Sequence, residues 1–455
     1  MDSDASSRAL ELLRRHGWNA TSFQILEPGI EAWFDGDDAV VGYVDTGSAW
    51  VAAGAPIAAE DAMAGVARRF VAAAAKAGRR ACFFAVEPRF VSRAGLHALQ
   101  VGEQPAWDPA SWARPGRASR STREQLRRAR AKGVKVRAAP PEEIADEASP
   151  TRRAVDAVIA AWERARPMAP MGFMVTVHPF SFPEERRYFV AECNGRLAGF
   201  LAAVPVYARG GWFLEDLVRA PDAPNGTAEL LVHHAMQAAS AEGSRYATLG
   251  LAPLAGDIDP VLRVARSLSA PLYGFRGVFA FKAKLRPDAW APIYLAYGGA
   301  APLAIYDTLV AFSRGGLLRF GVETLLRVPN VVVQLLAALL VPWTLALALV
   351  DRAAWFPWAW VQMAWVAFDS VLFVALWALT RRFRSWLLTS LAIAITLDAL
   401  VTLIEVVVYN APRARGILDP LVMATAVLAP ASAAALLWRA RYERSRHRVA
   451  SAEGV

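Results

Sequence analysis

Four stretches of this chain are each long and apolar enough to cross a bilayer, which takes about 20 residues. They follow one another near the C-terminal end: Val328–Val350, Pro357–Leu379, Trp386–Tyr409 and Pro420–Trp438. None contains Arg or Lys. A soluble core would rarely repeat an apolar run of this length four times. The pattern predicts an all-α bundle of four transmembrane helices over 328–438, with a basic tail at 439–455. Three acids lie inside the runs, Asp369, Asp398 and Glu405. Asp398 and Glu405 are seven apart and share a helix face; hydrogen bonding between helices and a proton or substrate path are both open readings.

Arg placement orients the bundle. Arg314, Arg319 and Arg327 precede the first run, Arg381, Arg382 and Arg384 separate the second and third, and Arg439, Arg441, Arg444, Arg446 and Arg448 follow the fourth. The opposite loops carry only Arg352, Arg413 and Arg415. The asymmetry puts both termini and residues 1–327 on the cytoplasmic side of a bacterial inner membrane. Met1–Trp18 has no apolar segment, so no signal peptide is expected. Two cysteines, Cys82 and Cys193, exclude a disulfide scaffold and suit a reducing compartment. The chain of 455 residues is 55% hydrophobic, which argues against a fully soluble protein, and its net charge of +9 suits anionic partners.

Residues 1–327 alternate strand and helix patterns, an α/β signature. Strands are expected at Glu31–Phe34, Ala39–Val44, Ala81–Val86, Tyr188–Glu192, Leu197–Val206, Gly211–Val218, Arg245–Leu251 and Gly277–Lys282, and helices at Ala59–Ala77, Arg120–Lys132, Arg152–Arg164, Gly226–Glu242 and Pro260–Leu268. Asn194-Gly195 between apolar runs marks a tight hairpin turn. The apolar, aromatic segment Trp290–Leu318 fits a helix on the membrane surface within a juxtamembrane region, 291–327, or a helix packed on the soluble domain.

Two stretches share one order of features. Strand, Ala-Pro loop, helix, Gly turn and strand run from Trp50 through Pro56 and Gly78 to Val86, and again from Leu217 through Pro224 and Gly243 to Leu251. This suggests a duplicated α/β unit, with halves at 1–137 and 138–290. A hairpin followed by strand, loop and helix is also the order of the GNAT acyl-transfer core. There the helix N-terminus cradles phosphate, because its first N–H groups are free. Here that loop is Ala220–Thr227, with Asn225, Gly226 and Thr227 at the helix start; ordinary capping by Asn225 is the alternative.

Three motifs resemble the phosphatidylglycerol lysyltransferase C-terminal domain family. They are Phe213-Leu-Glu-Asp216-Leu-Val-Arg219-Ala-Pro-Asp222-Ala-Pro-Asn225-Gly226, Leu249-Gly-Leu-Ala-Pro-Leu254, and Tyr273-Gly-Phe-Arg-Gly-Val-Phe-Ala-Phe-Lys282-Ala-Lys284-Leu-Arg-Pro287 with Trp290 following. The resemblance covers roughly residues 15–300. It implies two GNAT-like halves and transfer of an aminoacyl group from a charged tRNA donor to a membrane lipid such as phosphatidylglycerol. The family's Asp-Leu-Met-Arg element stands here as Asp216-Leu-Val-Arg219. The better-known members carry an N-terminal flippase, and no counterpart precedes this domain in the sequence, so lipid flipping is not implied.

Such a transfer needs a positioned nucleophile, a proton acceptor, oxyanion stabilisation and a phosphate clamp. No acyl-enzyme is required, and no Gly-x-Ser-x-Gly elbow, His-Glu-x-x-His or Cys-x-x-Cys occurs, so neither a metal nor a cofactor is expected. Asp216, Arg219, Lys282 and Lys284 are the candidate catalytic residues. Asp216 would face the substrate amine or attacking hydroxyl and Arg219 would bind phosphate; an ion pair bracing the loop is the structural alternative. Lys282 and Lys284 are two of only five lysines and would share a face of a strand. Candidate binding residues are Asp222, Asn225, Gly226 and Thr227, with Tyr273, Phe275 and Arg276 lining a channel or belonging to the core. Arg120, Arg123, Arg127 and Arg130 recur at helical spacing as a stripe for tRNA backbone or anionic head groups, or as a solvated face. His178 reads as a base or a packed loop residue. Two further functions fit the same sequence: a GNAT-type N-acyltransferase using acyl-CoA, and a non-catalytic membrane protein that binds a partner.

Overall fold

A computed structural model describes residues 3–452 except 113, 115, 271, 315, 351–354, 382, 383, 415 and 417. Arg352, Arg382 and Arg415 of the charge pattern lie outside the described residues. The chain forms two compact units, residues 1–320 and 321–455.

The first unit is built on one mixed sheet. Its strands are β1 Glu31–Asp35, β2 Ala39–Asp45, β3 Ala49–Ala53, β4 Arg80–Val86, β5 His97–Trp107, β6 Lys135–Ala139, β7 Arg187–Cys193, β8 Arg196–Val206, β9 Gly211–Arg219, β10 Tyr246–Thr248, β11 Ala252–Pro253 and β12 Ala289–Tyr297. They lie in the order β1-β2-β3-β4-β12-β5-β10-β9-β8-β7-β6, with β11 also paired to β5. The helices are α1 Ser3–His16, α2 Met63–Lys76, α3 Pro88–Ala94, α4 Pro109–Trp112, α5 Arg120–Ala131, α6 Pro141–Ala145, α7 Pro150–Ala165, α8 Thr227–Ala241, α9 Pro260–Ser269, α10 Phe275–Lys284 and α11 Ala301–Phe312.

The duplicated order is present in three dimensions. β2 and β3 are antiparallel, α2 crosses over, and β4 returns parallel to β3. β8 and β9 are antiparallel, α8 crosses over, and β10 returns parallel to β9. Gly78 and Gly243 turn out of the two helices at φ 70° and 75°, where a side chain would be strained. Asn194 and Gly195 both adopt positive φ, as a two-residue hairpin requires. The copies interleave: β12 inserts between β4 and β5, and β5 pairs with β10. The division expected at residue 137 falls inside β6, which pairs with β7.

Two expected elements are different. Gly277–Lys282 is not a strand but lies in α10, where tertiary packing overrides its Val and Phe content. Trp290–Leu318 is not one membrane-surface helix. Its first residues form β12, whose alternate side chains Ile293 and Leu295 join one core cluster while Ala296 joins another. Burial on both faces hides a strand's period. α11 packs on the domain through Ala304, Asp307 and Thr308. Asp307, 1% exposed, accepts from Arg80 Nη2 at 2.7 Å, Arg80 Nε at 2.8 Å and Ser48 Oγ at 2.8 Å, which fixes the helix to β4 and the turn before β3.

In the second unit, three helices are long and apolar enough to cross a membrane: Ala359–Leu379, Ser385–Arg413 and Asp419–Arg439. The run expected as the first span forms a helix over Pro329–Leu349, of which Val333–Leu349 is a shorter apolar segment. The described residues therefore hold three candidate spans where four were expected.

Candidate active site

The irregular centre of the domain is β9. Ala202 pairs with Asp216 and Ala203 with Leu214, so Glu215 is bulged out of the ladder. The bulge resets the alternation of the strand. Leu214 and Leu217, three apart, both pack toward α8, whereas Asp216 is buried beside Val218, which packs toward α7. Asp216 and Arg219 consequently leave the strand on opposite sides. No ion pair joins them among the described residues; Arg219 is exposed and reaches Ala223 O at 3.5 Å. The loop-bracing salt bridge is not formed.

Asp216 belongs to a buried charge cluster that gathers the two halves of the domain. Arg186 is fully buried, donates to Glu215 Oε2 at 2.9 Å and to Ser181 O at 2.8 Å, and lies 3.8 Å from Glu27. Its guanidinium sits 5.1 Å from the centre of the Phe23 ring. Three carboxylates thus surround one cation. Asp216 Oδ2 and Glu215 Oε1 are buried without a hydrogen-bond partner. Burial and the Glu215 charge push the Asp216 carboxyl well above the usual range, with Arg186 opposing. Glu27 is pushed the same way, by burial first and then by its acidic neighbours. Buried acids of this kind hold their protons to higher pH than exposed carboxyls do.

The two lysines do not share a face, because α10 is a helix. Lys282 is buried and donates to three carbonyls at the exit of β10: Leu249 O at 2.8 Å, Gly250 O at 2.9 Å and Leu251 O at 2.8 Å. Burial pushes its ammonium down to about 7, while the three carbonyl contacts favour the charged form. Gly250 permits the turn, since a Cβ there would stand 2.6 Å from Phe213. Lys284 instead pairs with Glu229 in the first turn of α8.

α8 begins against the arginine helix. Gly226, at φ 96°, caps α8, and a Cβ on it would stand 2.2 Å from Gln125 O of α5. Asn225 is exposed and is not the capping residue; Thr227 is buried and donates to Pro224 O at 2.7 Å. Thr122 of α5 donates to Lys284 O at 3.1 Å. The start of α5, the start of α8 and the end of α10 therefore converge, bringing Gly226, Thr227, Glu229 and Lys284 together. Arg120, Arg123, Arg127 and Arg130 are all exposed on α5, and Arg127 pairs with Glu124 at 2.8 Å. Asp222 is exposed, 4.0 Å from Arg196. Tyr273 and Phe275 pack at 4.6 Å with their rings tilted by 51° at the start of α10, Arg276 is exposed, and half-buried His178 has its pKa lowered by burial and by Arg314 and Arg186.

Sequence reasoning missed Arg186, Glu27 and Glu229 as partners of the named residues. Arg186 stands in the surface-like run Glu184-Glu-Arg-Arg187, and nothing local marks it as the buried member. Only the Glu215-Asp216 pair on an apolar strand offered a signal.

The first unit is thus a mixed α/β sheet domain whose strand β9 is bulged and bears a buried acid. Residues 10–297 match the model of the family described as phosphatidylglycerol lysyltransferase, C-terminal, and the chain belongs to that family. It is 28% identical over 223 residues to the lysylphosphatidylglycerol biosynthesis bifunctional protein LysX of Mycolicibacterium gilvum, covering 46% of this chain and 20% of the relative. To LysX of Nocardia farcinica it is 26% identical over 243 residues, covering 50% and 21%. The match spans about a fifth of the length of these curated relatives. Among solved structures, the C-terminal domain of a putative lysylphosphatidylglycerol synthetase from Agrobacterium fabrum is similar, with a TM-score of 0.59 and 25% identity, covering 69% of this chain and 98% of that one. L-PGS of Bacillus licheniformis shares the fold, at TM-score 0.57 and 21% identity over 67% and 95% of the two chains.

Proposed function

We propose that the domain transfers an aminoacyl group from a charged tRNA to a hydroxyl of a membrane phospholipid such as phosphatidylglycerol, and that the C-terminal helices hold it at the cytoplasmic face of the inner membrane. The observation that carries this reading is the buried, unpartnered Asp216 oxygen on the bulged strand, inside the region matched to the family. Asp216 takes the proton of the lipid hydroxyl as that oxygen attacks the ester carbonyl. The new ester forms, the bond to the tRNA terminal ribose breaks, and the proton passes to the leaving ribose oxygen. Lys282 fixes the backbone at the exit of β10. Arg219 and the Lys284–Glu229 pair order the phosphate side of the site, with Asp222, Asn225, Gly226 and Thr227 forming its loop. Tyr273, Phe275 and Arg276 flank the acceptor. The exposed Arg120, Arg123, Arg127 and Arg130 stripe contacts tRNA phosphates or anionic head groups. Keeping the domain at the bilayer raises the effective concentration of the acceptor.

Lipid mass spectrometry of cells with and without the gene tests the proposal. The expected result is an aminoacylated phospholipid only where the gene is present, and its formation by isolated membranes is abolished by ribonuclease. Identical lipid profiles would overturn it, and product that survives ribonuclease would point to acyl-CoA as donor.

A further inference from the structure

The helical unit carries a groove outside the transferase domain. It lies between the helices Ala359–Arg381 and Ser385–Glu405, near the end of the first and the start of the second. Its volume is about 830 Å³, within the range of roughly 300–1,000 Å³ usual for small-molecule sites. The wall along the first helix is mainly apolar, with Val371, Val374 and Ala378 on successive turns and Ser370 at its far end. Where the first helix ends and the second begins, the groove carries Arg381, Arg384 and Trp386. Val371 and Val374 are 69% and 64% exposed, too open for a packed core. Neither guanidinium has an ion-pair partner among the described residues, and no acid lines the groove. Arg381 stands 5.5 Å from the Trp377 ring, which holds it at the mouth.

We propose that this groove binds an anionic phospholipid. An acyl chain lies along Val371, Val374 and Ala378, while the phosphate meets Arg381 and Arg384 where the helices end. Three features select that occupant. The long wall is apolar except for Ser370, whose hydroxyl donates to Val366 O of its own helix, so it suits a hydrocarbon. The two cations sit at one end only, where a span meets the head-group layer, and basic pockets between membrane helices bind anionic head groups. Trp386 lies at the same level, the depth that indole rings prefer. The inference rests on the membrane placement proposed above and not on the transfer reaction.

The test uses the full chain purified in an uncharged detergent. It is mixed with phosphatidylglycerol or with phosphatidylcholine of the same acyl composition, and retained lipids are counted by native mass spectrometry. The wild type is expected to keep one phosphatidylglycerol more than Arg381→Gln/Arg384→Gln, whose affinity for that lipid falls about tenfold or more. Phosphatidylcholine shows no such difference. Ala378→Trp, which fills the apolar limb and leaves both cations, also lowers the count by one. Equal counts for the wild type and the double variant, or displacement by millimolar inorganic phosphate, would overturn the proposal. Carbonate extraction of membranes separates the two premises. Protein released by carbonate defeats the membrane placement, whereas retained protein with equal lipid counts defeats the groove alone.

Discussion

The two copies of the strand–helix–strand unit have one topology and different interiors. In the first, β3 pairs with β2 in unbroken register and presents Ala49, Val51, Ala52 and Ala53 to apolar clusters. The aromatic rings of Tyr43, Trp50, Phe70 and Phe83 pack around it at 4.6–5.6 Å. In the second, β9 is bulged at Glu215, buries Asp216 and is backed by a fully buried Arg186. A duplicated fold does not require duplicated chemistry. Strand β3 is packed with apolar side chains, whereas β9 keeps a buried acid and two orphan oxygens, Glu215 Oε1 and Asp216 Oδ2, that a stability optimum would discard; the first copy's own buried acid, Glu87, lies beyond the end of β4 and pairs with Arg209.

The comparison is tested most severely at Asp216. Asp216→Asn should lower aminoacyl transfer about 100-fold or more, measured with isolated membranes and charged tRNA. Its melting temperature at pH 8 should be unchanged or higher. The folded-state pKa of Asp216 is raised, so its contribution to stability is complete below the unfolded carboxylate value and is lost as pH rises through the folded one. The wild type should therefore lose stability as pH rises above the unfolded carboxylate value of about 4, and the variant should show a shallower loss. A strongly destabilised but active variant would break the contrast.

Arg186→Met removes the buried cation that faces Glu27, Glu215 and Asp216, and should cost about 3–5 kcal/mol in urea unfolding. Val51→Asp places an acid inside the first copy, where apolar side chains surround it, and should abolish folding. A soluble, folded Val51→Asp protein would show that the copies tolerate charge alike.

Lys282→Met leaves three carbonyls at the β10 exit without their donor and should cost about 1–3 kcal/mol. Burial holds the lysine near 7, below its unfolded value of about 10.4. The unfolded chain therefore binds more protons between those values, and the wild type should gain stability from pH 7 to pH 10. The variant should lack that gain, as urea midpoints at the two pH values would show.

The smallest structural effect belongs to α5. Changing Arg120, Arg123, Arg127 and Arg130 to Gln should leave the melting temperature unchanged, because all four are exposed. Binding of tRNA should weaken and lose part of its salt dependence, read from filter binding at several salt concentrations.

Much of the sheet was legible from local patterns. The hairpin at Asn194-Gly195, the crossover helices α2 and α8, and the Gly turns at 78 and 243 follow from turn chemistry and helical periodicity. β5 was not legible, because Gly102 and Pro105 interrupt it; Gly102 is there since a Cβ would stand 2.4 Å from Ala252 O of β11. β12 was lost to burial on both faces, and α10 to aromatic residues at strand-like spacing. At the site, Asp216 was visible as an acid on an apolar strand and Lys282 as a scarce lysine. The contacts of both were not. Arg186 reaches Glu215 across 29 residues, and Lys282 reaches back 31–33 residues to carbonyls with no side-chain signature.

The insertion of β12 between β4 and β5 has a consequence during synthesis. Residues 289–297 must leave the ribosome before the centre of the sheet can close. Until then β4 and β5 present unpaired edges, which attract other chains. The nascent chain must therefore be shielded from aggregation while the ribosome completes the domain, and membrane insertion of the helices that follow begins only after that late strand has emerged.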